Sequence, residues 1–255
     1  MRFKFKSILV LISLLPFMGN ATSLEVNLPN SSLKLSYEQP VRLSQVLTDS
    51  NLVVLKQGKV TPYWLGAQLF EPSQNEEIKR LKTIVLEKLE YLAKYYPEST
   101  FKADLLTSLL KKANFGYRHF ISLDNDLVRL EPELDPILSG KYRLVIPNRE
   151  NDVLLVGTIQ PLASEPLNPE LKPADYFIDH SLPKNSDTEQ LFVIQPDGSI
   201  TSYAQEYWRP GSIYLAPGSI LYTGFKSLPS EHANLNQQVA KLLSYMEYPE
   251  KGSFQ

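Results

Sequence analysis

Few residues of this 255-residue chain are of types that break or make bonds, and their spacing narrows the chemistry further. It has three histidines, His119, His180 and His232, and no cysteine. No two of them stand at a metal-ligand spacing, so neither a zinc nor a copper site is expected. A Ser-His-Asp triad can be assembled on paper from any such chain, but no Gly-x-Ser-x-Gly elbow is present to point to one. Asp124-Asn125-Asp126 opens like a calcium loop but lacks the later Gly and Glu, and reads as a turn. Glu131, Glu133 and Asp135 could form an acid/base pair on a sugar. Their proline-interrupted setting reads better as a solvated loop. No glycine-rich phosphate loop occurs.

Two arginines carry more information. Arg118 and Arg129 flank a strand-turn segment, and a fixed guanidinium suits a carboxylate or phosphate, acidic sugars included. An ion pair with a nearby Asp is the plainer alternative. Aromatic residues are plentiful, with 14 Tyr, 11 Phe and 2 Trp. Trp64, Tyr207 and Trp208 could stack on pyranose faces, although core and edge packing accounts for most such rings in small β domains. No residue is assigned a catalytic role, and no cofactor is implied.

The elements that hold these residues alternate between β and α periods. Leu24–Leu28 and Leu33–Tyr37 read as a hairpin around Pro29-Asn30. Pro40 to Thr48 reads as a short helix, and Leu52–Leu55 and Tyr63–Phe70 as strands around a turn at Gly58. Ser73-x-x-Glu76 resembles a capping box. Ile78, Leu81, Val85, Leu89 and Leu92 then mark one face of a helix ending near Tyr96. A second helix fits Phe101, Leu105, Leu109 and Ala113 and stops before Gly116, so the two form a helical hairpin inserted into a β-rich chain.

Strand signals resume at Tyr117–Leu123. Lys141–Ile146 and Val153–Ile159 flank a polar turn, Leu162–Pro173 reads as irregular, and Ala174–Asp179 as a helical turn. Leu191–Ile194 and Ser199–Tyr203 surround the turn Pro196-Asp197-Gly198. Ile213–Leu215 and Ile220–Tyr222 are further short strands around Pro217-Gly218. Ser230–Glu247 is amphipathic, with Leu235, Val239, Leu242 and Met246 on one stripe and Asn234-x-x-Gln237 as a second capping box. The two halves share a loose plan of hairpin, short helix and more strands, as one module used twice would.

Composition sets the outer bounds. Hydrophobic residues make up 43% and charged residues 21%, enough apolar material for a real core. Met1–Ala21 has a basic start, an apolar run from Ile8 to Met18 and a small-x-small end, the form of a secretory signal peptide. Its apolar run falls short of the ~20 residues that span a bilayer. Without its three bases, 23 basic residues face 28 acidic ones, a net charge of −5. No basic block exists to neutralise phosphates, so nucleic acid is not an expected partner, and no stable membrane insertion is expected.

A series of short motifs then occurs in order: Leu123-Asp124-Asn125-Asp126-Leu127-Val128-Arg129, Gly140-Lys141-Tyr142, Val156-Gly157-Thr158-Ile159, Ala174-Asp175-Tyr176, Ile194-Gln195-Pro196-Asp197-Gly198, Tyr207-Trp208, and Pro217-Gly218-Ser219-Ile220 with Gly224-Phe225. Taken in order over nearly the whole mature chain, they resemble the GfcC/YjbG-like family of capsule and exopolysaccharide biosynthesis proteins. The resemblance implies an α+β fold of two β-grasp domains, related to the SLBB repeats of outer-membrane export channels, with an inserted α-helical hairpin and a C-terminal amphipathic helix. The corresponding division is 1–21 signal peptide, 22–150 first β-grasp domain with the hairpin at 75–115, 151–228 second β-grasp domain, and 229–248 C-terminal helix.

The resemblance also implies a periplasmic, non-enzymatic protein and a pocket arginine. The family pattern has a Gly-Arg pair, whereas Tyr117 here separates Gly116 from Arg118, so Arg118 and Arg129 both stand as candidates. The family-like Leu-Asp-Pro-Asp stands here as Leu123-Asp124-Asn125-Asp126. The expected function is that of a non-catalytic periplasmic accessory protein of capsule or exopolysaccharide assembly or export. Its expected partner is a polysaccharide or an outer-membrane export protein, and its expected ligand-binding residues are Arg118, Arg129, Tyr207 and Trp208. The rival expectation is a periplasmic glycan-modifying enzyme using the acidic loop at Glu131 to Asp135.

Overall fold

The computed structural model describes residues 23–57, 62–149, 151–160, 162–204 and 213–248. Strands β1 (Leu24–Leu28) and β2 (Leu33–Tyr37) form the expected hairpin, with Ser32 in the left-handed region at φ 51° closing its turn. A short β3 (Val41–Arg42) leads into helix α1 (Leu43–Gln57). Next come β4 (Gln68–Phe70), helices α2 (Asn75–Tyr95) and α3 (Pro97–Lys112), and β5 (Arg118–His119). The first half ends with α4 (Asn125–Leu130), β6 (Ile137–Leu138) and β7 (Gly140–Val145). The second half runs β8 (Asp152–Val156), β9 (Ala163–Pro166), β10 (Ser186–Ile194), β11 (Ile200–Ala204), β12 (Ile220–Phe225) and α5 (Leu235–Ser244).

The architecture is mixed α+β with two five-stranded sheets, and neither closes into a barrel. The first sheet has the order β2-β1-β7-β4-β5 and the second β9-β8-β12-β10-β11. Read this way the two are the same topology. Each opens with an antiparallel hairpin at one edge, β1–β2 or β8–β9. In each the last strand of the half enters the centre parallel to the first, β7 beside β1 and β12 beside β8. Each closes with a second antiparallel pair, β4–β5 or β10–β11. The repeat visible only loosely in the sequence is therefore explicit in the strand order.

The halves differ in what joins the second pair. Between β10 and β11 stands the tight turn at Pro196-Asp197-Gly198, with Gly198 N–H donating to Gln195 O. Between β4 and β5 the chain instead inserts α2 and α3. Ile78, Val85, Leu89 and Leu92 of α2 are buried, the predicted face. Their partners are in the second sheet: they form one core with Leu106, Leu109 and Leu110 of α3, Phe192, Ile194 and Tyr222 of the second sheet, and Val239 and Leu242 of α5. A separate core lies under α1 in the first sheet, and a third on the other face of the second sheet around Tyr176, Phe177 and Leu191.

The end of the chain returns to the first half. Residues 114–116 and 245–247 run antiparallel, with Glu247 N–H on Asn114 O at 2.9 Å and Gly116 N–H on Tyr245 O at 3.3 Å. The buried Gln68 amide acts as a strand partner, donating to Met246 O and accepting from Tyr248 N–H.

Several local expectations are corrected. Leu52–Leu55 is helical, because α1 continues along Leu43, Val46, Leu47 and Val54 against the sheet, and its predicted start at Pro40 is the strand β3. Only Gln68–Phe70 of the predicted Tyr63–Phe70 strand pairs, the rest being a 3-10 turn at Trp64–Gly66. Neither capping box forms. Ser73 Oγ turns to Glu71 and Glu76 pairs with Lys79, while Asn234 Oδ1 takes the Lys88 ammonium at 2.7 Å. The stripe of α3 is rotated: Phe101 is 56% exposed and Lys102 is buried. Of the predicted Tyr117–Leu123 strand only Arg118–His119 pairs, and Asp124-Asn125-Asp126 starts α4 rather than a turn.

The polar segment near residue 148 connects the two sheets, at the division between residues 150 and 151. Ala163–Pro166 is an edge strand where irregular chain was expected, and residues 213–215 do not pair. The signal-peptide reading, the turn at Gly58, and Tyr207 and Trp208 fall outside the described residues.

Candidate functional site

The cavity with the most distinctive chemistry lies where the two halves meet. The first half contributes the 3-10 turn with Trp64 and the stretch from Arg118 to Asp124. The second contributes the β10–β11 turn at Asp197–Ser199. It holds about 620 Å³, within the roughly 300–1,000 Å³ typical of small-ligand sites.

Arg118 forms its floor. β5 pairs with β4, setting Arg118 opposite Phe70, and leaves the side chain 6% exposed. One terminal nitrogen donates to Pro196 O of the second half at 2.5 Å and to Ala67 O at 3.4 Å. The Phe120 ring lies 5.5 Å from the guanidinium carbon, a cation–π contact. The buried Nε–H has no hydrogen-bond partner among the described residues. A buried donor left unpaired costs about 1–3 kcal/mol. Burial lowers the guanidinium below its ordinary value, to about 10, opposed by the charge of Asp197. It therefore stays charged at neutral pH, with no carboxylate hydrogen-bonded to it.

The turn that faces Arg118 is fixed by Gly198. Its φ is +91°, in the region that favours glycine, and a Cβ there would come 2.2 Å from Phe120 Cε1. Asp197 Oδ1 accepts Ser199 N–H at 2.8 Å and braces the same turn. On the other wall Asp124 Oδ1 accepts from the N–H groups of Asp126 and Leu127 and caps α4.

The second arginine candidate is elsewhere. Arg129 is exposed on the last turn of α4 and does not line the cavity. The acidic loop does not converge either. Glu131 and Glu133 are exposed, whereas Asp135 is buried and occupied with Ser44 N–H and Oγ, each at 2.8 Å. Among the described residues no group of three or more His, Asp or Glu is placed to hold a metal ion. Trp64, Phe120 and the Asp124 and Asp197 rim were not joined to Arg118 in the sequence reading. The spacing that signals them is tertiary, since Arg118 and Pro196 meet only when the halves pack.

Fold and cavity together define a mixed α+β protein with two sheets of like strand order and, where its halves meet, a recess lined by a buried arginine and two aspartates. Family models place it further. Residues 20–149 match the model described as capsule biosynthesis GfcC, N-terminal, and residues 162–246 match capsule biosynthesis GfcC C-terminal. The chain belongs to the GfcC capsule-biosynthesis family, and membership supports a role in capsule assembly. It is also 28% identical over 163 residues to the uncharacterized protein YjbG of Escherichia coli (strain K12), covering 64% of this chain and 66% of that protein. None of the described helices is long and apolar enough to cross a membrane.

Proposed function

We propose that this protein is a non-catalytic periplasmic accessory of capsule or exopolysaccharide assembly or export. Its inter-sheet recess holds an acidic group, supplied by a glycan or by an outer-membrane export partner. The observation that carries this reading is Arg118: a charged side chain lining an open cavity, with a buried N–H that no described residue accepts. The strand order shared by both sheets, with the last strand central and parallel to the first, supports reading each module as a β-grasp unit of the SLBB kind. The commitment of Asp135 to the start of α1 argues against the acidic loop as an acid/base pair.

Arg118→Ala tests it in cells. Surface polysaccharide should fall while the amount of folded protein in the periplasmic fraction stays unchanged. Arg129→Ala should leave export as it was. Normal export with Arg118→Ala present and folded would overturn the pocket. Fractionation and N-terminal sequencing check the location, with the mature chain starting after Ala21.

A further inference from the structure

The recess carries more than a cation. Two carboxylates, Asp124 and Asp197, stand exposed at its rim, while Arg118 is buried at its floor. Each carboxylate spends Oδ1 on backbone N–H groups, and Oδ2 of each has no partner among the described residues. The site thus offers one buried donor group for an anion and, nearer solvent, free oxygens that accept from hydroxyls. Trp64 and Phe120 add flat apolar faces beside them.

Charge decides between anions. A phosphate carries about −1.5 to −2 near neutral pH. Against a single guanidinium and two rim carboxylates, that second charge has no partner. A monocarboxylate adds less negative charge than a phosphate to a recess where two carboxylates already outnumber Arg118, and its planar group suits the guanidinium nitrogens not spent on Pro196 O and Ala67 O.

We propose, resting on the acidic-group reading above, that the recess binds a glycan residue that is a pyranose bearing one carboxylate. The carboxylate sits on Arg118, the ring hydroxyls donate to Asp124 and Asp197, and one ring face lies on Trp64 or Phe120.

The full mature protein would be titrated with methyl glucuronide, methyl glucoside, glucose 6-phosphate and N-acetylphenylalanine, with binding read by calorimetry and saturation-transfer NMR. Methyl glucuronide should bind, with the neutral and phosphorylated sugars at least tenfold weaker and the carboxylate without hydroxyls weaker than the glucuronide. Arg118→Gln should abolish binding. Because Arg118 also ties the two halves, Asp197→Asn serves as a second variant on an exposed side chain, and it should weaken the glucuronide several-fold at an unchanged melting temperature. Equal binding of glucose 6-phosphate, or preference for N-acetylphenylalanine, would overturn the uronate assignment while leaving an anion pocket in place. Failure of all four ligands, combined with normal export by Arg118→Ala cells, would remove both readings.

Discussion

Lys102 is buried where its type is least at home. It projects from α3 into the opening that the irregular register between Ser186 and Leu191 leaves beside β12. There its ammonium donates to Ser186 Oγ at 2.9 Å, Thr223 Oγ1 at 3.1 Å and Gly224 O at 2.7 Å. Burial lowers its pKa from 10.5 to about 7, with Asp187 partly opposing. The unfolded chain then binds more protons than the folded one between those values, so stability should rise with pH from about 7 towards 10. Urea unfolding at stepped pH would show the rise in the native chain and its loss in Lys102→Met; equal slopes would refute it. Gly198 supports a second expectation. Ala at its φ of +91° should cost at least about 1–2 kcal/mol, more if Phe120 cannot move, and lower the melting temperature. Of these residues the sequence singles out Arg118, together with Arg129, because the two flank a strand-turn segment; burial distinguishes them only in the fold. Lys102 stayed hidden: next to Phe101 it looked like the solvent side of its helix.

At the scale of elements, the helical hairpin is the most legible part and the least legible in its destination. Spacings of three and four residues identify α2 and its buried face correctly, since one face of that helix is uniformly apolar. In α3 Phe101 and Leu106 lie on competing faces, so only contact with the second sheet chooses between them. Nothing in the local pattern says that the hairpin, inserted in the first sheet, buries itself on the second. Truncating Leu89 or Leu109 to Ala, both fully buried in that shared core, should cost about 2–5 kcal/mol in chemical unfolding. A cost near zero would place the hairpin outside the core. Short strands followed the same rule. The β1–β2 and β10–β11 hairpins are readable from their turns, whereas β9 lies in a stretch that reads as irregular, and the central β7 and β12 pair in parallel with strands far away in sequence, a register with no local signal.

For the whole molecule, three connections tie the halves: Arg118 to the β10–β11 turn, the hairpin to the second sheet, and the returning chain end to Gln68. The last is specific enough to test. Gln68→Ala removes the side-chain donor to Met246 O, and an unpaired buried group costs roughly 1–3 kcal/mol. Limited proteolysis should then cut the chain end faster at an unchanged rate within the sheets; unchanged protection would show that Arg143 and Glu247, paired at 2.8 Å, suffice.

The hairpin's allegiance also sets a timetable. Ribosomes deliver α2 and α3 well before the strands that will cover them, so their apolar faces must wait, shielded by each other or by a chaperone, until β12 and α5 have emerged. Assembly of the two modules is therefore one event rather than two in succession, and a nascent chain stopped after β7 should be a sticky, protease-sensitive fragment and not a finished first half.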